Sequence, residues 1–250
     1  MVVASERFIA EELEVTVELV PSLKVPVFNK HYEGEYDARM TQWRRICAKD
    51  KAMNIAALVA EYPVQTVLDV GCGTGAVLDE LSRAGIGLRH VGVDVADPEV
   101  HSETALELLH YDGEVLPFNE NSFDLVYASH VLEHVLEPRR FLAELQRVGK
   151  MVYVEVPCEL NLRTSYDSLQ ATLDIGHINA FTPHSFALML QTTGLEVLDL
   201  RLFDHSIEVH QFNSSRTRAR LKAAIRQGLL GMNPSLASKI FTYHCGALCR

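Results

Sequence analysis

The chain has 250 residues, with 33 acidic against 23 basic side chains and a formal net charge of −10. That balance argues against an electrostatic grip on a nucleic-acid backbone, which needs clustered Lys and Arg. No apolar run reaches the ~20 residues of a membrane span, and five scattered cysteines complete neither a zinc spacing nor a disulfide framework.

The first residues carry too many acids for a signal peptide. Reduced thiols, no metal and a cytoplasmic location are the expectation. Neither an internal repeat nor a low-complexity linker interrupts the chain. Residues 1–40 read as an N-terminal extension or lid, and 41–250 as one domain with an insertion at 205–238. In "LEVTVELV", Leu13, Val15, Val17 and Leu19 alternate with polar residues as in a half-buried strand, with "LKVPVF" as its partner. A helix follows from about Thr41 to Tyr62, with Ile46, Met53, Ala56, Ala57 and Ala60 on one face.

From Val64 onward, strands and helices alternate. "QTVLDV" is the Val- and Leu-rich run of a parallel strand buried on both faces. "AVLDELSRAG" is a helix burying Val77, Leu78, Leu81 and Ala84, stopped at Gly85. "LRHVGVDV", a part of "ALELLHYD" and "FDLVYAS" are the second to fourth strands. "EPRRFLAELQRVG" is a helix with Pro138 in its first turn, Phe141, Leu142, Leu145 and Val148 inward and Gly149 at its end. "KMVYVEVP" is the fifth strand. A helix capped by Thr182, opened by Pro183 and closed by Gly194 comes next. "LEVLDLRLF" and "KIFTYHCGAL" are two late strands. Between them, "RTRARLKAAIRQGLL" reads as a helix with Leu221, Ala224, Ile225 and Leu229 inward and a basic face. This βαβ repetition predicts an α/β fold with a doubly wound, mostly parallel sheet and a ligand at the carboxyl ends of its strands.

The stretch "TVLDVGCGTGAVL" sets Gly71, Gly73 and Gly75 between a strand and a helix. Glycines there let the chain turn sharply and let a ligand approach the backbone. Gly71, Gly73 and Ala76 also satisfy the dinucleotide pattern G-x-G-x-x-G/A, and Asp94 ends the second strand where a ribose-binding acid belongs in either ligand class. Asp69 separates the two. A carboxylate two residues before the first glycine repels a pyrophosphate and attracts the ammonium of S-adenosylmethionine. At ~4 Å and an effective dielectric near 20, one such charge pair is worth about 4 kcal/mol before desolvation. An NAD-dependent oxidoreductase is therefore the disfavoured alternative, and a non-catalytic S-adenosylmethionine-binding protein is the other.

On "VLDVGCGTG", "VGVDVA", "YDGEVLPFNENSFDLVYASHVLEHV" and "FLAELQRVGKMVYVEVP", the chain from about Val64 to Leu202 resembles the class I S-adenosylmethionine-dependent methyltransferases, the small-molecule type with a Rossmann-like fold. The resemblance implies seven strands in the order 3-2-1-4-5-7-6, the last-placed one antiparallel. It also implies S-adenosyl-L-methionine held by Asp69, Gly71, Cys72, Gly73, Thr74, Gly75, Asp94 and Val95. Asp112 and Gly113 would sit at the adenine, and Ser129 and His130 after the fourth strand.

Methyl transfer from a sulfonium depends above all on alignment, which can supply ~7–11 kcal/mol, and a hydroxyl acceptor also benefits from a base. His130, Glu133, His134, Glu155, and His177 with Asn179 stand on the loops and strand ends where that base belongs. His177 and His134 are the catalytic candidates, because an imidazole titrates near neutrality. The fourth strand ends in "YASH" and lacks the Asn/Asp-Pro-Pro-aromatic sequence of amino-group methyltransferases acting on DNA bases or glutamine. The expectation is O-methylation of a small molecule or glycan, with no nucleic-acid partner. The basic face that "RTRAR" opens reads as solvated, with a cover over an anionic acceptor as the alternative.

Overall fold

A computed structural model describes residues 38–97, 104–212 and 214–250. The expected strands "LEVTVELV" and "LKVPVF", and nearly all of the 1–40 extension, lie outside the described residues. The chain runs α1 (Ala38–Val59), β1 (Thr66–Val70), α2 (Ala76–Arg83), β2 (Arg89–Asp94), β3 (Glu107–His110) and β4 (Phe123–Ser129). A 3-10 turn at Leu132–His134 leads to α3 (Pro138–Val148), β5 (Gly149–Pro157), α4 (Tyr166–Asp174), α5 (Pro183–Thr193) and β6 (Val197–Phe203). Three helices, α6 (Ile207–Phe212), α7 (Arg216–Met232) and α8 (Pro234–Ile240), precede β7 (His244–Cys249).

The seven strands lie in the order β3-β2-β1-β4-β5-β7-β6, all pairings parallel except those of β7. Successive side chains of a strand face opposite ways, so β1 sends Val67 to one core and Leu68 and Val70 to the other. The first core packs β1, β4 and β5 against Ile55 and Leu58 of α1 and Leu78 and Leu81 of α2. The second packs the sheet against Phe141, Leu142, Leu145 and Val148 of α3 and Phe186 and Leu190 of α5. Asp124 fastens the amino ends of three strands. Its Oδ2 accepts from the Gln65 and Thr66 amides and the Thr66 hydroxyl, each at 3.0 Å, and its Oδ1 from Lys150 Nζ at 2.9 Å.

Two helix faces differ from expectation. In α1 the inward residues are Ala48, Ala52, Ile55, Leu58 and Val59, while Met53, Ala57 and Ala60 are exposed. In α7 Leu221, Ala224 and Ile225 point outward, and Ala219, Ala223 and Arg226 are buried. Small residues let α7 approach closely, and its inward cation is neutralised. Arg226 Nε donates to Asp204 Oδ1 at 2.7 Å, its Nη2 donates to the Thr242 carbonyl, and its guanidinium lies 4.5 Å from the Tyr243 ring centre. Ala84 of the α2 terminus is also exposed. Helix α4, absent from the expectation, starts at a capping box in which Ser165 Oγ accepts from the Ser168 amide at 3.2 Å.

Register brings the site together. Asp69, Asp94, Ser129 and Glu155 all stand toward the carboxyl ends of parallel strands. Because β7 runs the other way, its first residue, His244, pairs with Pro157 at that same end.

Candidate active site

A cavity of about 1220 Å³ opens over the carboxyl ends of the strands, between α1 and the loops after β1, β2, β4 and β5. At one end lies the glycine turn. Gly71 has φ +82°, and a Cβ there would come 2.4 Å from Val131 Cγ2, so only glycine fits. Gly73 has φ +51°, and a Cβ there would meet nothing within 4 Å. Its backbone is bare toward the cavity.

The turn's amides are committed. Gly71 and Cys72 N–H both donate to the Val93 carbonyl, at 2.8 and 3.1 Å, and Gly75 N–H donates to Cys72 O at 2.9 Å. Gly73 N–H donates to Asp94 Oδ2 at 2.7 Å, while Ala96 N–H donates to Asp94 Oδ1 at 2.9 Å. A pyrophosphate-binding turn presents such amides to its ligand; here a carboxylate already takes the central one. Asp69 adds a second acid. It is buried and accepts from the Tyr127 hydroxyl at 2.7 Å. Burial pushes its pKa up to about 7, against the pull of that hydrogen bond and of Lys51. An ammonium, a sulfonium and a ribose suit these donors and acceptors; a phosphate does not.

Asp69, Gly71, Cys72, Gly73, Thr74 and Asp94 line this end, and Val95, Gly113, Ser129 and His130 line the walls beyond. Two expected residues do not. Gly75 is the N-cap of α2, and a Cβ there would come 2.4 Å from Thr104 Cγ2. Asp112 is a turn residue whose Oδ1 accepts from the Glu114 and Val115 amides at 2.8 and 3.1 Å. Those bonds hold its carboxyl below the usual range.

The other end is rich in imidazoles. His130, with φ +59°, places its side chain in the cavity wall and donates its backbone N–H to Glu155 O at 2.9 Å. Its Nε2 is 2.8 Å from His244 Nδ1 and 3.2 Å from Glu155 Oε1. His244 Nε2 in turn meets His205 Nε2 at 3.0 Å. Glu155, fully buried, accepts from Tyr153 Oη at 2.6 Å, Asn54 Nδ2 at 2.9 Å and Ser129 Oγ at 3.3 Å. Burial first, and then neighbouring positive groups, pull the pKa values of His130 and His244 well below the ordinary imidazole value. Sequence reasoning named His130 and Glu155 but not His205 or His244, whose arrival depends on the antiparallel docking of β7.

His134 and His177, from separate segments, meet edge to face with ring centres 4.8 Å apart. His134 Nδ1 faces the Gly176 carbonyl at 3.0 Å, and His177 Nδ1 faces Glu159 Oε2 at 3.0 Å. Burial lowers the pKa of His177, but the Glu159 carboxylate outweighs it and the value ends above normal. A carboxylate on Nδ1 fixes the tautomer and orientation of an imidazole, the relation that prepares a general base. Glu159 escaped sequence reasoning because nothing in "PCELNL" marks it. Asn179, expected beside His177, is structural: its Nδ2 donates to Val135 O at 2.7 Å, and the Ile178 and Asn179 amides donate to Glu133 O at 2.8 and 2.9 Å.

Residues 68–151 match the methyltransferase-domain family. Over these residues the chain is similar to the class I S-adenosylmethionine-dependent methyltransferases. The chain is similar to a demethylmenaquinone methyltransferase of Renibacterium salmoninarum, 32% identical over 120 residues, covering 46% of this chain and 47% of that protein. A probable chloroplastic tocopherol O-methyltransferase of Oryza sativa subsp. japonica is 28% identical over 166 residues, covering 58% of this chain and 46% of that one. The chain thus spans about half the length of the curated relatives it matches. The methyltransferase fold recurs in a phosphoethanolamine-type N-methyltransferase 2 of Haemonchus contortus, solved with phosphomonomethylethanolamine and S-adenosylhomocysteine. That likeness has a TM-score of 0.57 at 15% identity and covers 90% of this chain and 60% of that one.

Proposed function

We propose that this chain transfers a methyl group from S-adenosylmethionine to a hydroxyl of a small molecule held at the imidazole-lined end of the cavity. The observation that carries the cofactor half is the glycine turn: its central amide is taken by Asp94, and Asp69 stands beside it. S-adenosylmethionine, when bound, supplies a methyl group on a positively charged sulfur. Asp69 would hold the ammonium, Asp94 the ribose hydroxyls, and Gly71 and Gly73 the face left open by missing side chains. Asp112 is left out of this reading.

The relatives named for demethylmenaquinone and tocopherol support a small-molecule acceptor. The cavity wall argues against an anionic acceptor, because Asp50, Glu155, Glu159 and Asp204 all line it. None of the α7 residues lines the cavity, so that helix is no cover for an anion. His177 and His134 are the groups placed to meet the acceptor hydroxyl.

Calorimetry with S-adenosylhomocysteine and NAD tests the cofactor half. The former should bind and the latter should bind far more weakly. Asp94→Ala should weaken S-adenosylhomocysteine by at least tenfold, since hydrogen bonds to a charged acceptor are worth ~1.5–3 kcal/mol each. Tight NAD binding without a response to S-adenosylhomocysteine would refute the reading. On an identified acceptor, His177→Asn should lower turnover by ~10²–10⁴-fold with cofactor affinity kept.

A further inference from the structure

The geometry points to a divalent-cation site formed by Glu133, His134 and His177 at the acceptor end of the cavity. One ligand atom from each of the three lies within 4.8 Å of the other two. Bonds of ~2.0–2.2 Å at tetrahedral angles put ligand atoms ~3.3–3.6 Å apart, so side-chain rotations that draw the three atoms together by about an ångström close the triangle.

The hydrogen bonds at the back of each ring set the tautomers. A carbonyl only accepts, so His134 Nδ1 carries its proton toward Gly176 O at 3.0 Å and the ring's lone pair falls on Nε2. The Glu159 carboxylate does the same for His177, at 3.0 and 3.1 Å. Imidazoles that bind metals are held in this way, by a carbonyl or carboxylate on the opposite nitrogen.

Glu133 supplies the charge. Its side chain is fully buried, and neither oxygen has a hydrogen-bond partner among the described residues. His130 Nδ1 lies 3.4 Å from Oε1. A buried carboxylate without a hydrogen bond is rare, and a bound cation is one partner that would account for it. Two amides from the His177 loop, those of Ile178 and Asn179, clamp the Glu133 backbone, so carboxylate and imidazole are held together across 44 residues of chain.

A second trio, His130, Glu155 and His244, has similar spacing. It differs in being satisfied: Glu155 accepts from Tyr153, Asn54 and Ser129, and the imidazoles bond one another. That trio is a hydrogen-bonded wall, whereas the Glu133 carboxylate has no hydrogen bond among the described residues.

Two imidazoles and one carboxylate suit a first-row divalent ion such as Mn²⁺, Fe²⁺, Co²⁺ or Zn²⁺ and leave coordination positions facing the cavity. There the ion would hold the acceptor's hydroxyl oxygen and lower its pKa. That role rests on the methyl-transfer reading; cation binding does not. It also recasts His134 and His177, whose lone pairs would hold the ion.

The full chain, stripped with a chelator, is titrated with Mn²⁺, which thiols hold poorly. One ion per chain is expected. Glu133→Gln and His177→Ala should each weaken binding at least tenfold, and Glu159→Gln by ~10–100-fold through His177. His244→Asn should leave cation affinity within about twofold, as expected of a residue outside the ion's ligands and their supporting shell. Circular dichroism confirms that each variant is folded, and if Glu133→Gln is not, His177→Ala carries the test. Absence of stoichiometric binding, or binding untouched by His177→Ala, overturns the site. An equal loss in His244→Asn overturns it too, by placing the ion in the other trio. S-adenosylhomocysteine titrated in parallel separates the two readings: a chain that binds it but no cation refutes only the ion, and the reverse refutes only methyl transfer.

Discussion

The Tyr127 hydroxyl of β4 donates to Oδ2 of Asp69 on β1 at 2.7 Å, with both side chains buried. The carboxylate at the mouth of the glycine turn is therefore aimed by the neighbouring strand. Tyr127→Phe keeps the ring and removes that bond. A hydrogen bond to a charged group is worth ~1.5–3 kcal/mol, so S-adenosylhomocysteine affinity should fall at least ~10-fold with the fold intact. Calorimetry on the folded variant checks this, and unchanged affinity would show that Asp69 needs no aiming.

The same carboxylate predicts a pH dependence. Burial raises Asp69 to about 7, partly offset by Tyr127 and Lys51 and reinforced by Asp94. A ligand ammonium needs the ionised form. Below that value the carboxyl is protonated and binding must expel a proton; above it the charge is already present. Affinity for S-adenosylhomocysteine should rise through about pH 7 and then level off, by up to tenfold per pH unit on the acid side. Titrations in buffers of different ionisation heat should detect the released proton in the parent and not in Asp69→Asn.

Arg226 and Asp204 form a buried pair at 2.7 Å beneath α7, with Asp204 Oδ2 already lacking a hydrogen-bond partner among the described residues. Arg226→Ala strands the acid. Breaking such a pair costs about 3–5 kcal/mol, and denaturant unfolding should show that loss. The added change Asp204→Leu should recover part of it, because an apolar pair avoids the desolvated charge.

Acid should loosen the amino ends of the strands. The Lys150 ammonium first, then the Thr66 and Gln65 amides and the Thr66 hydroxyl, hold the Asp124 carboxyl down at about 2 against some desolvation. A depressed carboxylate stabilises the fold above its unfolded pKa of ~3.9 and loses that contribution as pH falls toward about 2. Thermal midpoints of the parent should drop more steeply over this window than those of Asp124→Ala. Parallel curves would mean that the clamp contributes nothing.

Much of this architecture was legible because its signals are redundant. In α3 Pro138 opens the helix and four bulky residues share one face, so propensity and pattern agree. In α1 the inward stripe begins with Ala48 and Ala52, and alanine also occupies the outward face at Ala57, so periodicity could not orient it. In α7 the rule inverts: close approach selects Ala219 and Ala223, a neutralised Arg226 goes inside, and Leu221 and Ile225 stay in solvent. The glycine turn and Asp94 could be read because backbone geometry dictates residue type there. His205, His244 and Glu159 could not, since each enters the cavity through a tertiary contact that leaves no local trace.

Strand β7 follows every other strand in the chain, yet it lies between β5 and β6 and is buried at all of its positions. On a ribosome, both flanking strands emerge before the one that joins them. Until residues 244–249 arrive, β5 has an open edge and β6 has no partner in the sheet. Open apolar edges are templates for pairing with other chains, so the nascent protein passes through a vulnerable interval that a chaperone would shorten. His244 arrives with that strand and completes the cavity wall. A half-made chain therefore lacks the finished chamber, and maturation of the site is timed by the closing of the sheet.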